Sequence, residues 1–175
     1  MTFTVGFVTG ATPDKWARTW RDRSREPLEL VPVTEAAQLD GVRDGSQSMA
    51  LVRLPVDRDG LHLIPLYEEL PVAVMSVDNT LTLLDEVTRD DLADEHQDWG
   101  DLPTADVVAT VAAGTGVVVV PMSVARLHHR KDVTYRTVSD LPPTTVGLAW
   151  RVDDGDERVQ TFIGIVRGRT ERSSR

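Results

Sequence analysis

The chain has no cysteine, which rules out disulfides and any cysteine-ligated zinc or iron–sulfur site. Positive charge is scarce: 19 Lys and Arg stand against 28 Asp and Glu, a formal net charge of −9. That balance opposes binding to phosphate backbones over most of the surface, so direct nucleic-acid binding is not expected. The start, MTFTVGFVTG, lacks the basic region and long apolar stretch of a signal peptide, and a cytoplasmic protein is expected. Val107 to Ala125 carries no charge, but Gly114, Gly116, Pro121 and several hydroxyls interrupt it, so no membrane span is read there. Internal repeats and low-complexity stretches are absent, as are a G-x-S-x-G elbow, a P-loop and a G-x-G-x-x-G fingerprint. His128 and His129 are adjacent, point to different sides of a helix and form no metal pair. The acid pairs Glu68 and Glu69, Asp90 and Asp91, and Asp153 and Asp154 read as surface or turn residues. A non-enzyme without cofactor or metal is therefore expected.

What is present is an α/β pattern. At 175 residues and 41% apolar composition, the chain can build one domain or two small lobes sharing a hinge. The stretch from Thr104 to Pro121, TADVVATVAAGTGVVVVP, spaces Val107, Val108, Val111 and Ala112 as one helical face, turns at Gly114 and Gly116, and continues into a valine run. Such a run predicts a strand buried on both faces within a largely parallel sheet, ended by Pro121. Earlier, Phe3 to Val8 alternates as a strand. GATPD follows, with Thr12 as N-cap, Pro13 at the first helical position, and a helix to about Arg25 that spaces Trp16, Ala17, Trp20 and Arg23 on one face and packs its tryptophans on the sheet. Leu28 to Val33 is a second strand. Thr34 caps a short helix from Glu35 to about Arg43, ended by Gly45, and Met49 to Leu54 is a third strand, completing a β-α-β-α-β unit.

The run Leu61 to Val77 is too long for one strand and is broken at Pro65 and Pro71 into two extended pieces that pass from one lobe to the next. Thr80 to about Glu95 has helical spacing at Leu83, Leu84, Val87 and Leu92. Ser123 to His129 is a helix, Val133 to Val138 and Val146 to Val152 are strands, and Val159, Phe162, Ile163 and Val166 mark a last helix with Gly168 at its end. The arginine-rich tail beyond it reads as solvated and mobile.

Four passages together, VGFVTGATPDKW, GSQSMALVRLPVDRDGLHLIPLYEELPVAVMS, VATVAAGTGVVVVP and VGLAWR, make the chain resemble the effector-binding domain of LysR-type transcriptional regulators. The resemblance covers almost the whole chain and implies a type 2 periplasmic-binding-protein-like fold, with two lobes joined by a two-segment hinge. Lobe I is then residues 1–70 with 148–175, and lobe II is residues 71–147. Two departures follow from it. The family's winged helix-turn-helix would precede the first strand and is not expected here, and the short loop between Leu92 and Val107 stands where the family inserts a strand, a helix and a strand, so a reduced second lobe is expected.

The resemblance also implies where a small molecule binds: in the cleft between lobes, at strand ends and helix N-termini. Unpaired backbone N–H groups and the positive end of a helix dipole favour a carboxylate there. Thr9, Gly10, Ala11 and Thr12 match the family's first-strand exit, Thr34 the start of its second helix, and Arg53, Leu54 and Pro55 its third-strand exit. Thr104, near the start of the second-lobe helix, faces them from the other side. Thr12 and Thr34 read equally as helix caps, and Arg53 as a solvated or salt-bridged arginine. A stand-alone sensing or regulatory module for an organic acid is expected, with homodimerisation or pairing with a DNA-binding regulator as the partner interactions. The alternatives are a protein-interaction module that has lost its ligand and an enzyme on the same fold. For the last, the cysteine of a porphobilinogen deaminase and the threonine-arginine-phenylalanine triplet of a prephenate dehydratase are both missing.

Overall fold

In a computed structural model that describes residues 2–168, the elements in chain order are β1 (Phe3–Val8), α1 (Asp14–Arg23), β2 (Leu28–Val33), α2 (Asp40–Asp44), β3 (Met49–Arg53), β4 (Leu61–Glu69), β5 (Pro71–Ser76), α3 (Arg89–Leu92), α4 (Thr104–Ala112), β6 (Val118–Pro121), α5 (Met122–Leu127), β7 (Val133–Thr137), β8 (Thr144–Arg151) and α6 (Glu157–Val166). The arginine-rich tail after Gly168 lies outside the described residues. Two compact units result, one holding the chain up to Tyr67 and from Thr145 on, the other Glu68–Thr144. The chain thus crosses between them within β4 and again at the start of β8.

The first unit is a sheet in the order β2-β1-β3-β8-β4. β1 is parallel to both β2 and β3, and β8 runs antiparallel to β3. Every residue of β3 is buried, and alternation explains it. Met49 and Leu51 join a cluster with Phe3, Trp20 and Phe162 beneath α1 and α6, while Ala50 and Val52 join Val42 of α2 on the other face. Phe3 stacks on Trp20 with ring centroids 4.9 Å apart, and Phe162 closes the cluster at 6.0 Å from Phe3. Each such side chain contributes roughly 1.5–3 kcal/mol by leaving water.

The second unit is a three-stranded sheet in the order β6-β5-β7, antiparallel throughout. Its central strand β5 is buried at every position: Val72 and Val74 face α4 and α5 with Val107, Val108 and Val111, whereas Ala73 and Met75 face Val87, Leu92 and Val138.

Several expectations are corrected. The valine run does not form a doubly covered strand of a parallel sheet. β6 sits at an antiparallel edge with Val119 exposed, and the strand of this sheet covered on both faces is PVAVMS, because α4 and α5 pack on one face of it and Val87, Leu92 and Val138 on the other. Pro65 does not break the chain. It lies inside β4, an edge strand, where no neighbour needs its missing N–H. Thr12 is not an N-cap: Pro13 occupies the cap position of α1, and no side chain caps the helix. The segment after Thr34 is a series of turns that become helical only at Asp40. Thr80 to Glu95 is not one helix either. A short 3-10 turn capped by Asn79 and α3, capped by a reciprocal Thr88–Asp91 box, are separated by Val87, which bridges to Val138. Leu83 is consequently 87% exposed instead of joining a helical face.

Candidate functional site

The carboxyl ends of the three parallel strands β1, β2 and β3 lie side by side in the first unit, and they carry most of the sequence-predicted residues. Thr9, one residue past β1, donates from its amide and its hydroxyl to the carbonyl of Val33 at the end of β2, at 3.1 and 3.3 Å. Gly10 follows with φ 92°, a left-handed conformation that glycine adopts without a Cβ clash. Ala11 is buried and donates to the Val8 carbonyl at 3.0 Å, which tightens the reversal, and Thr12 is exposed at its outer edge.

Arg53 ends β3 with a side chain only 3% exposed. Its Nη1 donates to the Thr9 carbonyl at 3.1 Å and lies 3.6 Å from Glu35 Oε2, whose side chain is 62% exposed. One guanidinium therefore ties the β1 exit to the turn after β2. The pairing of β1 with β3 stops at Leu51, so the backbone of Arg53 has no strand on that side. Gln38 takes the place of one: its Oε1 accepts from Arg53 N at 2.8 Å and its Nε2 donates to Arg53 O at 3.0 Å, both partners buried. Leu54 donates to Thr145 O at 2.8 Å, and the Leu54–Pro55 peptide is cis. Thr34 is exposed, and its hydroxyl accepts from Ala37 N at 3.3 Å, which closes a turn in place of capping a helix.

The structure thus brings Thr9, Gly10, Ala11, Thr12, Arg53, Leu54 and Pro55 onto one end of one sheet, with Thr34 at the neighbouring strand exit. Thr104 belongs to the second unit, half-buried at the first position of α4 behind Pro103. Gln38 and Glu35 are the residues of this cluster that the sequence does not single out, both falling within the stretch it predicts as helix. No local pattern marks Gln38, since its partner is the backbone 15 positions away. Glu69 is not the surface acid that its pairing with Glu68 predicts: it is buried in the second unit, where it accepts a short hydrogen bond from Ser123 Oγ. Its position at the end of β4, beside β5, removes it from water.

Chemically the strand-end cluster offers one cation, two carbonyl-anchored turns and exposed hydroxyls, a set suited to holding a small polar molecule. Among the described residues, no group of three or more His, Asp or Glu is placed to hold a metal ion, and no helix is long and apolar enough to cross a membrane.

No protein-family model matches the chain, and no curated protein matches it. Solved structures do. A mutant of the OxyR regulatory domain from Pseudomonas aeruginosa is similar with a TM-score of 0.78 at 21% identity, over 95% of this chain and 96% of that one. The effector binding domain of a BenM variant gives 0.79 at 18% identity, over 97% of each chain. A full-length OxyR mutant from Pseudomonas aeruginosa gives 0.75 at 19%, with 95% of this chain covering 66% of that one.

Proposed function

This chain has the type 2 periplasmic-binding-protein-like fold of the effector-binding domains of LysR-type regulators, and from that premise we propose that it is a sensing module whose effector is a small organic acid. The effector's carboxylate docks at the carboxyl ends of β1, β2 and β3, against Thr9, Gly10, Ala11, Thr12, Thr34, Leu54 and Pro55. Such strand ends are where ligands of open α/β sheets bind. The observation that carries this reading is Arg53, a guanidinium almost wholly withdrawn from water yet facing the exposed carboxylate of Glu35 at 3.6 Å. A loosely held surface carboxylate is one that a ligand's carboxylate can replace at small cost. Thr104 is not part of this reading.

Thermal-shift screening with small carboxylic acids tests it. An acid present at 100 times its dissociation constant stabilises the protein by about 2.7 kcal/mol, and Thr9→Val with Arg53→Met should abolish the shift. No shift across a broad acid library counts against the proposal.

A second reading is a pairing module, as a homodimer or with a DNA-binding regulator. It is supported by exposed Leu70, Leu102 and Leu127 in the second unit. Light scattering after size exclusion, with a pull-down, decides it: a monomer at high concentration that captures no regulator refutes the pairing.

A further inference from the structure

A groove at the opposite end of the first unit's sheet has a different character. Arg53 is paired in register with Val146, whereas Trp150 lies beyond the Ala50–Ala149 pair, so Trp150 and Arg53 mark opposite ends of the sheet. Around Trp150, the start of β4 and one face of α6 enclose about 310 Å³, the lower end of the range for small-molecule pockets. Trp150 and Ile163, both buried, form the apolar part of its lining, and the His62 ring stands 5.4 Å from the Trp150 ring at 40°. The rim is basic. Arg58 comes from the turn that closes onto Leu61, and Gln160, Ile163 and Arg167 follow one another at helical spacing along α6.

Charge makes the groove informative. In a chain of net charge −9, no carboxylate lines it among the described residues, and neither Arg58 nor Arg167 has an ion-pair partner there. Of the two acids that flank Arg58 in sequence, Asp57 lies 3.7 Å from Arg43, and neither Asp57 nor Asp59 lines the groove. Two guanidinium groups with no ion-pair partner among the described residues, lining one groove with a tryptophan, suit a ligand with an anionic end and a flat apolar body. Addition of a peptide strand fits poorly, because Pro65 removes the edge N–H just past the groove.

We propose that this groove binds a small aromatic carboxylate, its ring on Trp150 and Ile163 and its charge between Arg58 and Arg167. The site is independent of the strand-end reading and survives its failure.

The test uses the full chain with 2-naphthoate as probe, its neutral isostere 2-naphthamide, and the indole N–H resonance of Trp150, assigned with Trp150→Phe. Naphthoate should shift that resonance saturably, and the amide should bind about tenfold or more weakly. Arg58→Gln combined with Arg167→Gln should weaken naphthoate by a similar factor. Both residues are exposed, so the fold is retained. Arg18→Gln with Arg21→Gln, on the exposed face of α1, should leave binding unchanged. An unshifted Trp150 resonance, equal binding of acid and amide, or binding that survives the double substitution at the rim would each overturn the proposal.

Discussion

Replacing Gln38 with methionine should destabilise the protein by about 2–6 kcal/mol, because it strips partners from two backbone groups at once. The side chain is 7% exposed and its amide holds both the N–H and the C=O of Arg53, at 2.8 and 3.0 Å. Methionine fills the volume but offers neither bond, and a buried backbone group left unpaired costs about 1–3 kcal/mol. Gln38→Glu is the sharper test. An ionised carboxylate at this position can accept from Arg53 N–H but meets the Arg53 carbonyl without a proton, so one bond is lost. A neutral carboxyl makes both. The substituted carboxyl therefore has a folded-state pKa above its unfolded value of about 4.3. A raised carboxyl pKa means that the folded state holds its proton longer. The penalty is then absent below pH ~4.3, grows as pH rises towards the folded-state value, and is constant above it. Urea unfolding followed by the fluorescence of the four tryptophans, from pH 4 to pH 8, reads both effects. A methionine variant within about 0.5 kcal/mol of the parent, or a glutamate variant whose cost does not change with pH, would refute the reasoning.

Three further outcomes follow from single contacts. Gly41→Ala places its Cβ on the buried side chain of Gln47; it should cost about 1–3 kcal/mol, and Gln47→Ala in the same chain should recover part of the loss in urea unfolding. Asp156 caps α6 through a 2.9 Å bond from Arg158 N, and the side-chain hydrogen bond from Arg158 holds its carboxyl below the usual range. Its contribution is complete above pH ~3.9 and is lost as pH falls through the lowered value, so Asp156→Asn should flatten the acid limb of stability below pH ~3.9 while Asp156→Ala also loses a cap worth about 1 kcal/mol. Ser123→Ala removes the hydroxyl that binds buried Glu69 and should destabilise by about 1–3 kcal/mol, with the largest loss of amide hydrogen-exchange protection in β5 and β6; unchanged protection there would exclude the pair as a structural contact.

What the sequence disclosed and what it withheld divide along local and non-local causes. β1 and β2 carry their own alternation and bound their own turns, and the structure keeps them residue for residue. Helix α1 was legible from Trp16, Ala17 and Trp20. The valine run misled because hydrophobicity reports that a strand forms, not how many neighbours it acquires. Val119 is as apolar as Val72, yet one lies on an edge and the other in the middle of three strands. Leu83 and Leu84 misled for the same reason: their spacing to Val87 is helical, but Val87 is held in a bridge to Val138, 51 positions on, and that long-range contact overrides the local pattern.

The strand-end cluster shows the same division within a single site. Thr9, Gly10 and Arg53 could be marked because a strand that ends in Thr-Gly, or in a cation, announces its exit. That Arg53 would reach back 44 positions to the Thr9 carbonyl could not be marked. Nor could the role of Gln38, whose amide stands in for a missing stretch of β1. These two contacts decide whether the arginine is a solvated side chain or a fixed charge. A guanidinium with its backbone clamped on both sides and one nitrogen committed to a carbonyl cannot swing out to water, so its charge stays where the three strands end. If an acid binds at that end, the cost of orienting the cation has already been met in folding, and Gln38→Met should weaken acid binding by releasing Arg53 even though Gln38 itself is buried away from any ligand.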